Sequence, residues 1–275
     1  MEGILYICPT PIGNLEDITL RTLRTLEEVD LIAAEDTRHS IKLLNHYEIK
    51  KPMISYHEHN KITKGDIIIE KLIEGKNIAL ITDAGMPGIS DPGEDIIKLA
   101  IEKNIEIVAL PGPTAAITAL ILSGLSTRRF VFEGFLPSKK KDRIKELERL
   151  KFEERTIILY EAPHRILELL EDMEGVLGNR KITLCREMTK LHEEILRTDI
   201  KEARNKYDKE KPRGEFVLIL EGGEAEKENI YENVSIKEHI GFYMEEGLSK
   251  KDAVKKVAET RDLPKNLVYR ESLDI

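Results

Sequence analysis

The sequence predicts an α/β protein with a small helical extension at its C-terminal end. Three observations point there. Short apolar runs of strand length alternate with segments of helical period. These runs end again and again in glycine, proline and charged residues, as strands do where they deliver loops to a ligand. After about residue 223 the strand pattern stops, and only amphipathic helical segments remain.

At 275 residues the chain is long enough for one large or two modest domains, each with its own core. The 43 basic residues are outnumbered by 51 acidic ones, giving a net charge of −8, which argues against wholesale coating of nucleic acid and leaves room for a local basic patch. Cys8 and Cys185 lie far apart and form no CxxC or Cys/His cluster, so neither a disulfide framework nor a zinc site is signalled. Both are expected as buried fillers. No basic leader opens the chain, and no apolar run approaches the ~20 residues of a membrane span. A reducing cytoplasm is the expected setting.

Residues 3–8 read as the first strand, followed by a rigid turn with Pro9, Pro11 and Gly13. A helix over 19–29 comes next, with Leu20, Leu23, Leu26 and Val29 on one face. No GxGxxG occurs here, so a standard dinucleotide fold or the commoner type of methyltransferase is not supported. Residues 31–34 form a short strand that delivers Glu35, Asp36, Thr37, Arg38 and His39. Asp36 or Thr37 as cap of a helix over 40–47, with Arg38 in a surface ion pair, explains one or two of these five. Strand 54–56 ends in His57, Glu58, His59 and Asn60, and a helix over 62–74 follows.

The chain is organised around residues 78–93, IALITDAGMPGISDPG. Four apolar residues mark a strand buried on both faces, and the chain then breaks into Asp, Gly and Pro. Such residues also make ordinary turns. Gly85, Gly88, Gly93, Pro87, Pro92, Asp83 and Asp91 within one short stretch favour a stiff binding loop whose amides are fixed before a ligand arrives. A helix over 94–103, a buried strand over 105–110 and the turn Pro111, Gly112, Pro113 and Thr114 follow. Thr114 is placed to cap the apolar helix 115–122.

A second strand series begins at residues 130–132 and leads into residues 139–151, where seven basic residues face three acidic ones. A solvated helix laced with i,i+4 pairs is the common meaning of such a run, and a phosphate-contacting face is the sharper one. Strands over 156–160, 181–185, 193–196 and 215–220 follow, with a helix over 164–174 after the first. Polar residues again gather at their ends. Residues 221–233 turn polar and acidic, as a linker does. Three amphipathic segments near 235–246, 249–259 and 264–272 close the chain, with Ser249 capping the middle one. They are compatible with a nucleic-acid-binding helix-turn-helix, yet the eight basic and eight acidic residues from 235 to 275 suit a small packing module equally well.

The strings LYICPTPIGNLEDIT, LIAAEDTRHS, SYHEHN, LITDAGMPGISDPG, LPGPTAAITAL, RFVFEGFLP, ILYEAPHRI, CREMTKLHEEI and GEFVLILEG resemble, in this order, the ribosomal RNA small subunit methyltransferase I family of the tetrapyrrole methylase superfamily. The likeness spans about residues 4–222. It implies a two-domain, tetrapyrrole-methylase-like (class III methyltransferase) α/β fold, with domains over 1–112 and 113–223 and a helix-turn-helix-like extension over 234–275. It also implies S-adenosylmethionine bound between the two domains, a homodimer, and 2′-O-methylation of a cytidine in 16S rRNA of the small ribosomal subunit, near the decoding centre. By position, the implied cofactor contacts are Pro11, Asp83, Ala84, Gly85, Ile89, Ser90, Thr114 and Ala115 from the first domain, and Tyr160, Glu161, Gly214 and Glu215 from the second. Met86 stands where relatives commonly have threonine, so no hydroxyl is offered there while the loop remains.

A ribose hydroxyl is a weak acid, so methyl transfer to it needs alignment with the donor and help in losing its proton. Asp36 and His57 are alternative candidates for the base, and Arg38 and Arg165 for holding phosphate or stabilising the developing alkoxide. Lys139, Lys140, Lys141 and Arg143 join them as expected RNA contacts. No metal cluster is evident and the chemistry requires none. Two other readings stand beside this one: methylation of a tetrapyrrole or of diphthamide on the same cleft, and a non-catalytic rRNA- or ribosome-binding module with a vestigial pocket.

Overall fold

Two five-stranded sheets with helices packed on them fill the larger part of this computed structural model, which describes residues 2–223, 234–261 and 263–273. Most of the expected linker, 224–233, lies outside the described residues, as does Asp262 in the expected break before the last helix.

The first sheet contains β1 (Leu5–Ile7), β2 (Leu31–Ala34), β3 (Met53–Ser55), β4 (Ile78–Ile81) and β5 (Ile107–Ala109) in the order β3-β2-β4-β1-β5. Every neighbouring pair is parallel. Helices α1 (Leu20–Glu28), α2 (Thr37–His46), α3 (Lys61–Ile73) and α4 (Gly93–Glu102) connect them. The central strand β4 shows why the sequence folds this way. Ile78 and Leu80 join one apolar layer with Leu5, Ile68 and Ile96, while Ala79 and Ile81 join another with Leu26, Ile32 and Leu44. Alternate residues thus enter cores on opposite faces, which is why the run is apolar throughout. Strand β5 is an edge, half-buried with Ala109 exposed, and so differs from the buried strand expected there.

Helix α5 (Ala115–Ser123) leads to the second sheet, made of β6 (Phe130–Phe135), β7 (Thr156–Glu161), β8 (Lys181–Arg186), β9 (Glu194–Asp199) and β10 (Phe216–Leu220) in the order β6-β7-β10-β8-β9. Only β6 and β7 are parallel. Helices α6 (Lys140–Leu150), α7 (Ile166–Leu177) and α8 (Ile200–Lys209) share an apolar cluster with this sheet through Leu147, Leu170, Met173 and Tyr207. Ile158, Cys185, Val217 and Ile219 instead pack with Ala116, Ala119 and Leu120 of α5. Thr114 sits at the start of α5 but its hydroxyl makes no capping bond, contrary to expectation. Both cysteines are buried and free.

Residues beyond the linker form a separate compact unit of three helices, α9 (Ile236–Glu245), α10 (Lys250–Thr260) and α11 (Lys265–Glu271). Its own core is Ile240, Ala253, Val254, Val257, Ala258 and Val268. Ser235 and Glu238 form a capping box, and Ser249 caps α10 by accepting from the Asp252 amide at 3.2 Å. Among the described residues no helix is long and apolar enough to cross a membrane.

Candidate functional site

Because the first sheet is wholly parallel, β1, β2, β4 and β5 all deliver their following loops to one edge. There the turn after β1 is zipped to the loop after β4. Thr10 and Gly85 exchange backbone hydrogen bonds of 2.9 and 3.0 Å, and the Thr10 hydroxyl donates to the Thr82 carbonyl at 3.0 Å. Gly85 takes a φ of +82°, a conformation that residues with a Cβ rarely adopt.

This edge faces the second sheet across a cleft of about 500 Å³. The exit loops of the first sheet, the last of them running into α5, supply Ile12, Glu35, Thr114, Ala115 and the loop from Thr82 to Met86 and from Ile89 to Asp91. The second supplies Phe135, Tyr160, the β8 exit from Cys185 to Met188 with Lys190, and Gly214 to Val217. Edge-on contacts of Tyr160 with Phe132 and Phe135, at 5.1 and 5.5 Å, hold the aromatic wall.

The walls are strongly acidic. The Thr82 hydroxyl donates to Glu35 at 2.6 Å, and Asp83 carries a buried oxygen, Oδ1, without a hydrogen-bond partner. Burial, reinforced by the nearby Glu35 carboxylate, raises the pKa of Asp83 and that of Asp91, the latter to about 6. Such a site favours a cationic ligand and disfavours an anionic one.

The far end is closed by the β8 exit. Glu187 and Thr189 hold φ values of 50° and 63°, and the Asn14 amide donates to the Thr189 hydroxyl at 2.9 Å. Glu187 in turn lies so close to Gly214 that a Cβ at 214 would meet its Oε1 at 2.1 Å. Two loops 175 residues apart in sequence are thereby clasped over the cleft.

Ten of the twelve expected cofactor contacts line this cleft: Asp83, Ala84, Gly85, Ile89, Ser90, Thr114, Ala115, Tyr160, Gly214 and Glu215. Pro11 and Glu161 do not. Pro11 is buried beside the zipped turn, and its neighbour Ile12 takes the lining position. Glu161 is fully buried, accepts from the Ala162 amide at 2.8 Å and pairs with Arg165 at 3.3 Å.

The other expected residues need more correction. Asp36 caps α2 by accepting from the Arg38 amide at 2.8 Å, and the Arg38 guanidinium grips both of its oxygens at 3.1 and 2.7 Å. The hydrogen bonds from Arg38 hold the Asp36 carboxyl far below the usual carboxylate range, so it is a poor proton acceptor, and it does not line the cleft. His57 is also outside the lining, held in a turn where its amide donates to Asn60 Oδ1 at 2.8 Å. Arg143 is 2% exposed and bonded to Asp172 at 2.7 Å, to Glu168 at 3.3 Å and to the Ser138 carbonyl at 3.1 Å. It therefore holds α6 to α7 and presents nothing to RNA. Arg165 donates to the Leu136 and Pro137 carbonyls at 2.9 and 3.2 Å, so its charge is engaged in pinning the β6 exit. Lys139, Lys140 and Lys141 are exposed, and the Arg38 side chain is 89% exposed.

Sequence reasoning did not select Glu35, Thr82, Asp91, Phe135 or the β8 exit as site residues. All but Phe135 stand directly after a strand or in its exit loop, so the rule that chose the others contained them.

A family model described as tetrapyrrole (corrin/porphyrin) methylases matches residues 4–204. The ribosomal RNA small subunit methyltransferase I of Halalkalibacterium halodurans is 49% identical over 98% of this chain and 94% of its own length. That of Bacillus subtilis is 50% identical over 97% and 93%. That of Thermotoga maritima is 47% identical over 81% of this chain and 100% of its own length. Among solved structures, the uroporphyrin-III C-methyltransferase of Thermus thermophilus, complexed with S-adenosylhomocysteine, superposes with a TM-score of 0.56 at 17% identity, covering 80% of this chain and 97% of that one. A diphthine synthase gives 0.62 at 13% identity, over 80% and 89%. These distant structures share the fold.

Proposed function

The chain belongs to the tetrapyrrole methylase family and, within it, to the ribosomal RNA small subunit methyltransferase I family, and from that premise we propose that it methylates the 2′ oxygen of a cytidine ribose in 16S rRNA near the decoding centre, with S-adenosylmethionine as donor. The observation that carries this reading is the acid-walled cleft between the two sheets. S-adenosylmethionine presents two cations and an aromatic base, and the cleft offers carboxylates at Glu35, Asp83, Asp91 and Glu215 beside apolar Ile12, Ile89, Ala115 and Val217. Its volume of about 500 Å³ suits a ligand of that size. When bound, the cofactor supplies a methyl group activated on sulfonium.

In this reading residues 1–112 and 113–223 are the two halves that hold the cofactor, and residues 234–275 form a helical extension. The chain's own part is to bind and orient. The zipped loops after β1 and β4 present fixed backbone, so little ordering is left to oppose binding. Lys139, Lys140, Lys141 and Arg38 are the exposed cations that meet phosphate. The enzyme acts in the cytoplasm as a homodimer. Supporting the dimer, α5 is apolar on every side and leaves Ile117 and Ile121 exposed.

The test is transfer of labelled methyl from S-adenosylmethionine to small-subunit particles and to naked rRNA, with the modified nucleotide mapped. A 2′-O-methylcytidine in the decoding region is the expected result. Cofactor binding with no transfer to either RNA would move the acceptor to another class, and no binding would remove the enzymatic reading.

A further inference from the structure

Strand β6 carries a bulge that decides where its last aromatic points. Its pairing with β7 sets Phe132 opposite Ile158 and then Gly134 opposite Leu159, so Glu133 is an extra residue on the β6 side. Gly134 meets the bend with a φ of +64°. In a regular strand Phe132 and Phe135, an odd number of positions apart, would stand on opposite faces. Here both rings contact Tyr160, and Leu136 enters the core shared with α6 and α7. Phe135 thereby joins the lining of the cleft while 47% of it stays exposed. Its frame is rigid. Gly134 and Leu136 on either side are buried, and Arg165 holds the chain just beyond by donating to the Leu136 and Pro137 carbonyls.

Two close approaches align the strand exits of the two sheets. At one end the β8 exit lies on the turn after β1, where the Asn14 amide donates to Thr189 and a Cβ at Gly13 would meet Lys190 Cγ at 2.6 Å. At the other, a Cβ at Gly134 would stand 3.8 Å from Ser90 Oγ in the loop after β4. In the first sheet β2 and β3 lie beyond β4 on the side away from β1, and in the second β6 is the edge away from β8. Phe135 therefore stands at the end of the cleft remote from the clasp, on the side of the β2 and β3 exits. The charge outside that end is opposite in sign to the cleft's own walls. The carboxylates Glu35, Asp83, Asp91 and Glu215 suit a cation, whereas the chain leaving Phe135 runs into exposed Lys139 and Lys141, and the β2 exit carries exposed Arg38. A cationic cofactor gains nothing from these rim cations, and a polyanion does. A half-exposed aromatic ring beside exposed cations is the arrangement by which proteins hold unpaired nucleotides, with the base stacked and the phosphate neutralised.

We propose that Phe135 is the platform on which the base of the acceptor nucleotide stacks, so that the acceptor enters unpaired at the β6 end with its neighbouring phosphates on the lysines after that strand. The inference rests on the reading that the cleft holds S-adenosylmethionine and that the acceptor is RNA. Stacking fixes the base and with it the attached sugar, which brings the ribose hydroxyl into line with the donor. Every base has a π face, so the platform positions the nucleotide without choosing among bases.

The experiment is single-turnover methyl transfer to small-subunit particles, or to naked rRNA if that is the form the wild type methylates, with enzyme in excess and its concentration varied. Wild type is compared with Phe135→Ala, Phe135→Leu, Phe135→Tyr and Phe135→Trp, and S-adenosylhomocysteine affinity is measured on each by calorimetry. Phe135→Leu keeps apolar bulk and Phe135→Ala does not, but both lose the π face. Both are expected to lower the ratio of limiting rate to half-saturating concentration by about 5- to 150-fold, the effect of losing one base stack. Phe135→Tyr and Phe135→Trp keep a ring and are expected to stay within about threefold of the wild type. Affinity for S-adenosylhomocysteine is expected to hold in all four, since Tyr160 keeps its contact with Phe132 at 5.1 Å, and it reports that each variant is folded. A Phe135→Leu protein as efficient as the wild type overturns the proposal, because apolar bulk would then suffice. So do Phe135→Tyr and Phe135→Trp proteins that fall as far as Phe135→Ala. Loss of S-adenosylhomocysteine affinity in step with efficiency also overturns it, for Phe135 would then belong to the cofactor's wall. Wild-type protein that binds no S-adenosylhomocysteine, or binds it and methylates neither RNA form, removes the functional reading itself, a different result from a wild type that transfers and a Phe135→Leu variant that matches it.

Discussion

Arg143 shows how a residue's neighbours decide its role. In sequence it is one cation in the most basic stretch of the chain, beside the exposed Lys141. In the fold it points inward, and both it and Asp172 are almost wholly removed from water, at 2% and 4% side-chain exposure. Removing one partner of such a pair leaves an uncompensated buried charge, costing about 3–5 kcal/mol. Lys140 lies 3.2 Å from the same carboxylate and offsets part of the loss. Arg143→Ala is therefore expected to lower unfolding free energy in urea by about 3 kcal/mol, while exposed Lys141→Ala stays within about 0.5 kcal/mol. Equal, small effects would mean that the pair contributes nothing. Helical period was available in the sequence to place Arg143 on the same face as Leu147 and Leu150, but the depth of that face depends on α7, which no local pattern supplies. Asp36 is the converse case. Its capping role was readable from its position, and the same capping and ion pairing disqualify it as a base.

At the level of elements, β4 was the most legible because both of its faces are buried, so every one of its residues is apolar. Helix α8 was the least so, since it buries only Ile200, Ala203 and Tyr207; β5 lies where its apolar run predicts, and only its burial was overstated, because an edge covers less of its apolar surface. The loops after β1, β4 and β5 announce themselves by glycine and proline. The β8 exit does not, because Glu187 and Thr189 adopt left-handed conformations that neither residue type advertises. What holds that loop is its packing against Asn14 and Gly214, which exists only after the two halves have met. Gly214→Ala tests its part in shaping the cleft. The residue has a φ of +79°, and an added Cβ would collide with Glu187. Strain of about 1.4 kcal/mol imposed on the closed cleft corresponds to about a tenfold weaker affinity for S-adenosylhomocysteine by calorimetry. Adding Glu187→Ala removes the collision and recovers part of it. Unchanged affinity in Gly214→Ala would show that the loop does not shape the bound site.

For the whole molecule, the boundary at the linker separates two units that each carry a core, and every residue lining the cleft falls within 12–217. The T. maritima relative is matched over its full length by 222 residues, about the length of the larger unit. A chain ending at residue 223 is therefore expected to unfold cooperatively and to bind S-adenosylhomocysteine as the full chain does. The extension's effect on RNA is a separate question with its own readout. Every phosphate that a protein ceases to neutralise reduces the slope of log affinity against log salt by about 0.7 to 0.9. With eight cations matched by eight anions over residues 235–275, the extension offers little net field, so the shortened chain should keep the salt slope of the full one to within about one phosphate's worth. A fall equivalent to two phosphates or more would assign the helices to RNA despite their neutral balance, because only cations gathered on one face of α10 and α11 act in that way. Loss of cofactor affinity on truncation would instead place the extension in the cofactor site's support, against the separation of cores on which this expectation stands.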